Sequence, residues 1–186
     1  MNLGILAVWS LASVLCAEPL ADSVSLKLGR IENGQFAPGS RVFFTPSEMN
    51  SWIRRESADY PGVREPRVAV QDSKATGYAL VDFSMLDQAP GNAAPSWFLR
   101  KLLGGEHPVT VNMSFESQKG KARVNVERVE IAGIPIEGAA LDFLIEQYVR
   151  PLFPGARISE WFDLDPHVDR FTVGAAGLAV YIGGKR

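Results

Sequence analysis

The side chains able to do acid–base or metal chemistry are few in this sequence, and most sit in one short stretch. His167 lies within Asp165-Pro166-His167-Val168-Asp169, with Glu160 and Asp163 just upstream, and the second histidine, His107, directly precedes Pro108. A histidine between two aspartates can hold a cation, and two carboxylates several ångströms apart are what a glycosidase needs. Zinc sites, however, draw on histidine pairs at helical or hairpin spacing, and there is no H-E-x-x-H here. No serine stands in a G-x-S-x-G elbow. Gly104-Gly105 and Gly183-Gly184 lack the strand–loop–helix setting of a phosphate loop and read as a helix stop and a chain end. Asn112-Met113-Ser114 spells a glycosylation acceptor, but it falls inside a strand pattern. The carboxylate stretch therefore reads as a polar connection, and the chain as noncatalytic, with no metal ligands and no cofactor.

Apolar side chains are what the sequence has in excess. Hydrophobic residues make up 46% of the 186, and the formal charge of -2 leaves no basic surface for nucleic acid. Asn2 to Ala17 carries no charged side chain, is too short to span a bilayer comfortably, and ends in small residues before Glu18. Residues 1–17 are thus expected to be a signal peptide and 18–186 a single exported domain, membrane-anchored if the leader is retained. Cys16 is the only cysteine, so the domain would have no disulfide and must be held by its core.

These residues need elements to position them. Val24, Leu26 and Leu28 alternate with polar residues, the period of a strand, and Gly29 to Ser40 reads as a loop. Thr45-Pro46-Ser47-Glu48 is a capping box with proline at the first helical position. It predicts a helix from Pro46 to about Glu56, stapled by Phe44 and Met49, with Met49, Trp52 and Ile53 on one face. Val68 and Val70, a turn at Asp72-Ser73-Lys74 and a strand over Thr76 to Ser84 follow. That strand is apolar on both faces, as expected inside a covered sheet or beside a cavity.

Beyond a loop over Ala89 to Pro95, Ser96 to Leu103 reads as a short apolar helix. Val109 to Phe115 and Ala122 to Val126 form the clearest hairpin, and the apolar phase slips between Val126 and Val129 as at a bulge. Gly133-Ile134-Pro135-Ile136 should break the strand before the longest helix, about Glu137 to Val149, stopped by Pro151 and Pro154-Gly155. Phe171 and Val173, a turn at Gly174 to Gly177, and Leu178, Val180 and Ile182 close the chain. The sum is an α+β fold, with a strongly curved antiparallel sheet expected to wrap two main helices and a short third one.

Phe43-Phe44-Thr45-Pro46-Ser47-Glu48-Met49-Asn50 resembles the F-T-x-x-E-L-N helix start of small extracytoplasmic bacterial proteins of the lipomannan elongation factor A and YpmS type. Val126 to Ile136 is similar to their strand ending in V-G-G-(I/L)-P-(I/L)-P, although Glu137 stands where a second proline is common. The resemblance implies a fold related to half of a tubular lipid-binding domain and a phospholipid-like ligand in a hydrophobic groove.

The expected function is accordingly binding of a lipid or other apolar molecule in the cell envelope. Helix faces Met49, Trp52, Ile53 and Leu141, Leu144, Ile145, Tyr148 would line the groove, with Met113 and Phe115 among the sheet residues opposite, beside Val111, Val124 and Val126. Trp97 and Phe98 would supply any peripheral membrane contact. The alternative expectation is a structural or assembly module of the envelope that docks on a partner protein through the Trp97 to Leu103 helix.

Overall fold

The computed structural model describes residues 17–86, 97–149 and 158–184. Residues 1–16 of the expected leader, the 89–95 loop and the stop at Pro151 and Pro154-Gly155 lie outside the described residues.

Where alternation of Val24, Leu26 and Leu28 predicts a strand, the chain forms helix α1 (Ala17–Glu32). Ala21, Val24, Leu28 and Ile31 recur every three or four residues and make one inward stripe, which leaves Leu26 68% exposed. Two of the three alternating residues satisfy both periods, and only the longer window separates helix from strand. The stretch read as a loop ends in an unforeseen strand, β1 (Arg41–Phe44), with Val42 and Phe44 buried.

Helix α2 (Pro46–Glu56) has the expected bounds and cap. The Glu48 N–H donates to Thr45 Oγ1 at 3.2 Å, and the Thr45 N–H donates to Glu48 Oε2 at 2.9 Å. Phe44 and Met49 belong to the same hydrophobic cluster, as a staple requires.

Strands β2 (Val63–Gln71) and β3 (Lys74–Asp82) form a hairpin, as do β4 (Glu106–Gln118) and β5 (Lys121–Ile131). Between β4 and β5, Lys119 and Gly120 both take positive φ, 48° and 72°, the conformation whose twist matches a two-residue hairpin. Asn112 pairs with Arg128 while Met113 pairs with Val126, so Glu127 is the extra residue of the bulge that the phase slip foretold. Ile134-Pro135-Ile136, expected to end the strand, instead turns back as β6 (Ile134–Ile136) against β5 through Ala132-Gly133, again at positive φ. Pro135 is tolerated there because β6 is short and lies at an edge.

The helix expected over Glu137 to Val149 is shorter and not the longest. It comprises α4 (Ala139–Leu144) and a π-helical turn, Ile145–Val149, whereas α1 has 16 residues. Gly138, at φ 57°, turns the chain out of β6 and delays the helix start. The other short helix is α3 (Trp97–Leu102). Strand β7 (Trp161–Asp163) pairs with β5, and β8 (Val168–Gly174) and β9 (Gly177–Ile182) form the foreseen closing hairpin.

The fold class is α+β and the sheets are mostly antiparallel, but there are two sheets where one was expected. One follows the order β2-β3-β4-β5-β6 with β7 also on β5; the other is β1-β9-β8. They meet at Ser73 in the β2–β3 turn, whose N–H donates to the Val173 carbonyl and whose carbonyl accepts from the Phe115 N–H, both at 2.9 Å. A sequence pattern sees strands one at a time, and this junction depends on residues 40 or more positions apart. Among the described residues no helix is long and apolar enough to cross a membrane.

One face of the larger sheet packs into one hydrophobic cluster and, further along, borders a second. Val81, Val129 and Ile131 pack with Phe83, Leu102, Leu144 and Tyr148 under α3 and α4. Further along the same strands, the face of Ala75, Met113 and Phe115 meets α1, α2 and the smaller sheet.

Candidate functional site

Helices α1 and α2 run antiparallel and are tied by polar contacts at both ends. At one end Lys27 Nζ lies 2.6 Å from Glu48 Oε1, which also accepts from Ser23 Oγ at 2.8 Å. The Lys27 ammonium donates in addition to the Phe43 carbonyl at 2.8 Å. Burial alone would raise the Glu48 carboxyl, but hydrogen bonds from Lys27, the Thr45 backbone and Ser23 outweigh it and hold its pKa at about 2, against an ordinary 4.5. At the other end Arg55 reaches back to α1, with Nη1 2.7 Å from Asp22 Oδ1 and Nη2 donating to Ser25 Oγ and the Ala21 carbonyl.

Asn50 fastens α2 to the larger sheet. Its Nδ2 donates to the Val68 carbonyl and its Oδ1 accepts from the Val68 N–H, each at 2.8 Å. Strand β2 is an edge, and the amide takes the place of a missing neighbour strand.

Between this helix pair and the two sheets lies a cleft of about 360 Å³ whose lining is apolar throughout. Val24 and Leu28 of α1 and Met49, Trp52 and Ile53 of α2 form its roof. Val68 and Val70, Ala75, and Met113 with Phe115 form the wall on β2, β3 and β4. Phe44 on β1 and residues of β8 and β9, among them Phe171 and Val180, close the third side. Its volume is within the range of small-molecule sites, about 300–1,000 Å³. With no buried donor, acceptor or charge to aim at a ligand, the space can select for hydrocarbon and little else.

The expected groove residues therefore divide. Met49, Trp52, Ile53, Met113 and Phe115 line the cleft. Leu144 and Tyr148 are buried in the other cluster, Leu141 packs against that cluster, and Ile145 lies in the same helical turn; none of the four lines the cleft. Tyr148 meets Phe83 edge to face at 5.2 Å, and its burial pushes the phenol pKa up. Of the other sheet residues named in advance, Val111 and Val126 pack with the α4 cluster. Pattern reading assigned both helix faces to one groove because both are apolar; it could not say which stretch of the sheet each would cover. It also missed Val24 and Leu28, whose helical phase was masked by the strand-like alternation, and the whole contribution of the smaller sheet.

No protein-family model, no curated protein and no solved structure matches this chain.

Several side chains of the carboxylate stretch, and His107, make local contacts. Asp165 Oδ1 accepts from the His167 backbone N–H at 2.8 Å and lies 3.0 Å from its Nδ1, closing a turn, while the His167 ring sits against Gly34 so closely that an added Cβ there would be 2.6 Å from Nε2. His107 Nε2 lies 2.8 Å from the Gly104 carbonyl oxygen, and Asp163 is 3.5 Å from Lys121. Among the described residues no three His, Cys, Asp or Glu side chains gather as metal ligands would. Asn112, in the glycosylation spelling, accepts from Thr76 Oγ1 at 2.8 Å within the sheet.

Proposed function

We propose that this chain is a noncatalytic, extracytoplasmic binding protein that takes up the acyl portion of a phospholipid, or another apolar ligand of the cell envelope, in the cleft beneath α1 and α2. The observation that carries this reading is a continuous space of about 360 Å³ whose lining is apolar throughout, between a helix pair and two sheets. Protein interiors pack densely and leave few voids larger than water, and apolar surface left unburied forfeits about 25 cal/mol per Å². A fold that keeps such a space gains by filling it: ten buried methylenes contribute roughly 8 kcal/mol before the costs of association. The uncharged apolar run Asn2 to Ala17 supports export, which would place the cleft beside membranes. The order of capped helix, hairpins and strand-to-helix turn supports the kinship with half of a tubular lipid-binding domain. The net charge of -2 supports a partner other than nucleic acid.

Native mass spectrometry of the protein purified from its host tests this: a mass increment corresponding to bound lipid is expected. Repeated recovery of the bare mass, together with no uptake of fluorescent acyl probes, overturns it. One observation favours the alternative of an envelope assembly module, namely that Trp97 at the start of α3 is 69% exposed. Trp97→Ala would then abolish capture of a defined envelope partner while acyl-probe uptake persists. In the lipid reading the exposed Trp97 supplies peripheral membrane contact.

A further inference from the structure

A second cavity, of about 340 Å³, adjoins the apolar cleft and differs from it in chemistry. The two share Phe115, Phe171 and Val173 in their walls, and the Phe115 and Phe171 rings meet edge to face at 6.2 Å, so this aromatic pair forms the partition between them. Beyond the partition the lining turns polar: Ser73, Ser117 and Thr172 carry three hydroxyls, that of Thr172 also bonded to Tyr181, Gln118 carries an amide, and Glu116 is the one charged residue in the lining.

That charge is already answered. Arg123 Nη2 lies 2.6 Å and Nε 3.1 Å from Glu116 Oε1, and the guanidinium also stacks over the Trp161 ring at 5.2 Å. Among the described residues no cation is thus left over in the wall for an anionic head. Ser117 Oγ accepts from the Phe171 N–H at 2.9 Å, which fixes the hydroxyl in place and leaves its proton to donate. Neutral donors and acceptors beside a neutralised carboxylate suit a group that presents several hydroxyls.

We infer that the two cavities form one amphiphile site, in which the apolar cleft takes an acyl chain and the polar cavity takes its uncharged, hydroxyl-bearing head, a glycerol or a sugar. This rests on the reading of the cleft as an acyl site and adds the class of head that the ligand carries. Phe115 and Phe171 mark the junction of chain and head.

The test compares four ligands with the same ten-carbon chain, by displacement of a fluorescent acyl probe from the full-length protein: decan-1-ol, 1-decanoylglycerol, decyl β-glucoside and decyl phosphate. At least one of the glycerol and glucoside heads is expected to bind tenfold or more tighter than decan-1-ol, and decyl phosphate no tighter than decan-1-ol; which of the two heads gains distinguishes glycerol from sugar. Gln118→Ala should reduce that gain severalfold and leave decan-1-ol unchanged. Glu116→Gln, which releases Arg123, should raise decyl phosphate affinity about tenfold. If decan-1-ol matches both hydroxyl heads, or decyl phosphate binds tightest to the unaltered protein, the inference is wrong while the acyl reading stands. If none of the four displaces the probe, the acyl reading falls with it.

Discussion

The side-chain amide of Asn50 hydrogen-bonds to both backbone groups of Val68, its oxygen to the N–H and its nitrogen to the carbonyl, so one residue of α2 acts as a strand neighbour for the edge of the larger sheet. The same nitrogen also donates to the Pro46 carbonyl at 2.8 Å. Asn50→Leu keeps the bulk and removes all three bonds. Leaving half-buried backbone groups without partners costs about 1–3 kcal/mol, which for a chain of this size lowers Tm by roughly 2–12 °C in a thermal melt. Asn50→Asp keeps only the acceptor half and should fall between.

The Lys27–Glu48 pair makes acid stability predictable. The folded pKa of Glu48, about 2, is depressed from 4.5, so its contribution is present above about pH 4.5 and is lost as pH falls toward 2. Glu48 is 7% exposed, and the full effect is on the order of 3 kcal/mol. Denaturant midpoints measured from pH 6 down to pH 2.5 should fall more steeply for the unaltered protein than for Glu48→Gln. Equal slopes would remove this carboxylate from the account.

Gly177 is a position where only glycine fits. Its φ is +139°, and a Cβ built there would stand 2.1 Å from the Phe44 carbonyl oxygen across the β1–β9 pair. Gly177→Ala should cost on the order of 3 kcal/mol or more, through backbone strain and displacement of β1 together. Gly174→Ala, three residues earlier, meets only Asp72 Oδ1 at 3.9 Å and should cost less than about 1 kcal/mol. Chemical denaturation of the two variants side by side tests the contrast.

Filling the cleft should separate binding from folding. Ala75 lines the cleft and is buried in β3, so Ala75→Phe places a ring where an acyl chain would lie and should reduce acyl-probe uptake at least tenfold. Leu144→Ala, in the cluster under α4, should lower stability by about 2–5 kcal/mol and leave uptake intact at temperatures where the variant remains folded. Loss of uptake in both, or in neither, contradicts the division of the two clusters.

What the sequence made legible was local. Thr45 and Glu48 are three residues apart, and their reciprocal cap could be read directly. The slip between Val126 and Val129 marked the bulge at Glu127 because side-chain alternation must change phase wherever a residue is added. The α1 helix was hidden since Val24 and Leu28 fit two periods at once, and Leu26, exposed in the helix, supported the wrong one. Five of the nine expected groove residues share the cleft, and Leu141, Leu144, Ile145 and Tyr148 do not. That outcome was beyond pattern reading, since an apolar stripe states that a face is covered but not by what. The smaller sheet joins β1 to β9, more than 130 positions away, a pairing for which neither segment carries a local mark.

The two clusters that meet one face of the larger sheet also bear on how the molecule could respond to a guest. Strands β3 and β4 run through both, so the buried cluster under α3 and α4 can anchor the strands while the half under α1 and α2 holds the cleft. Strain from a chain entering that half would be met by repositioning two helices held mainly by side-chain ties, with the strand registers left alone. If the cleft takes a guest as proposed, chains of different length would be accommodated at one end of these strands while the other end keeps them anchored.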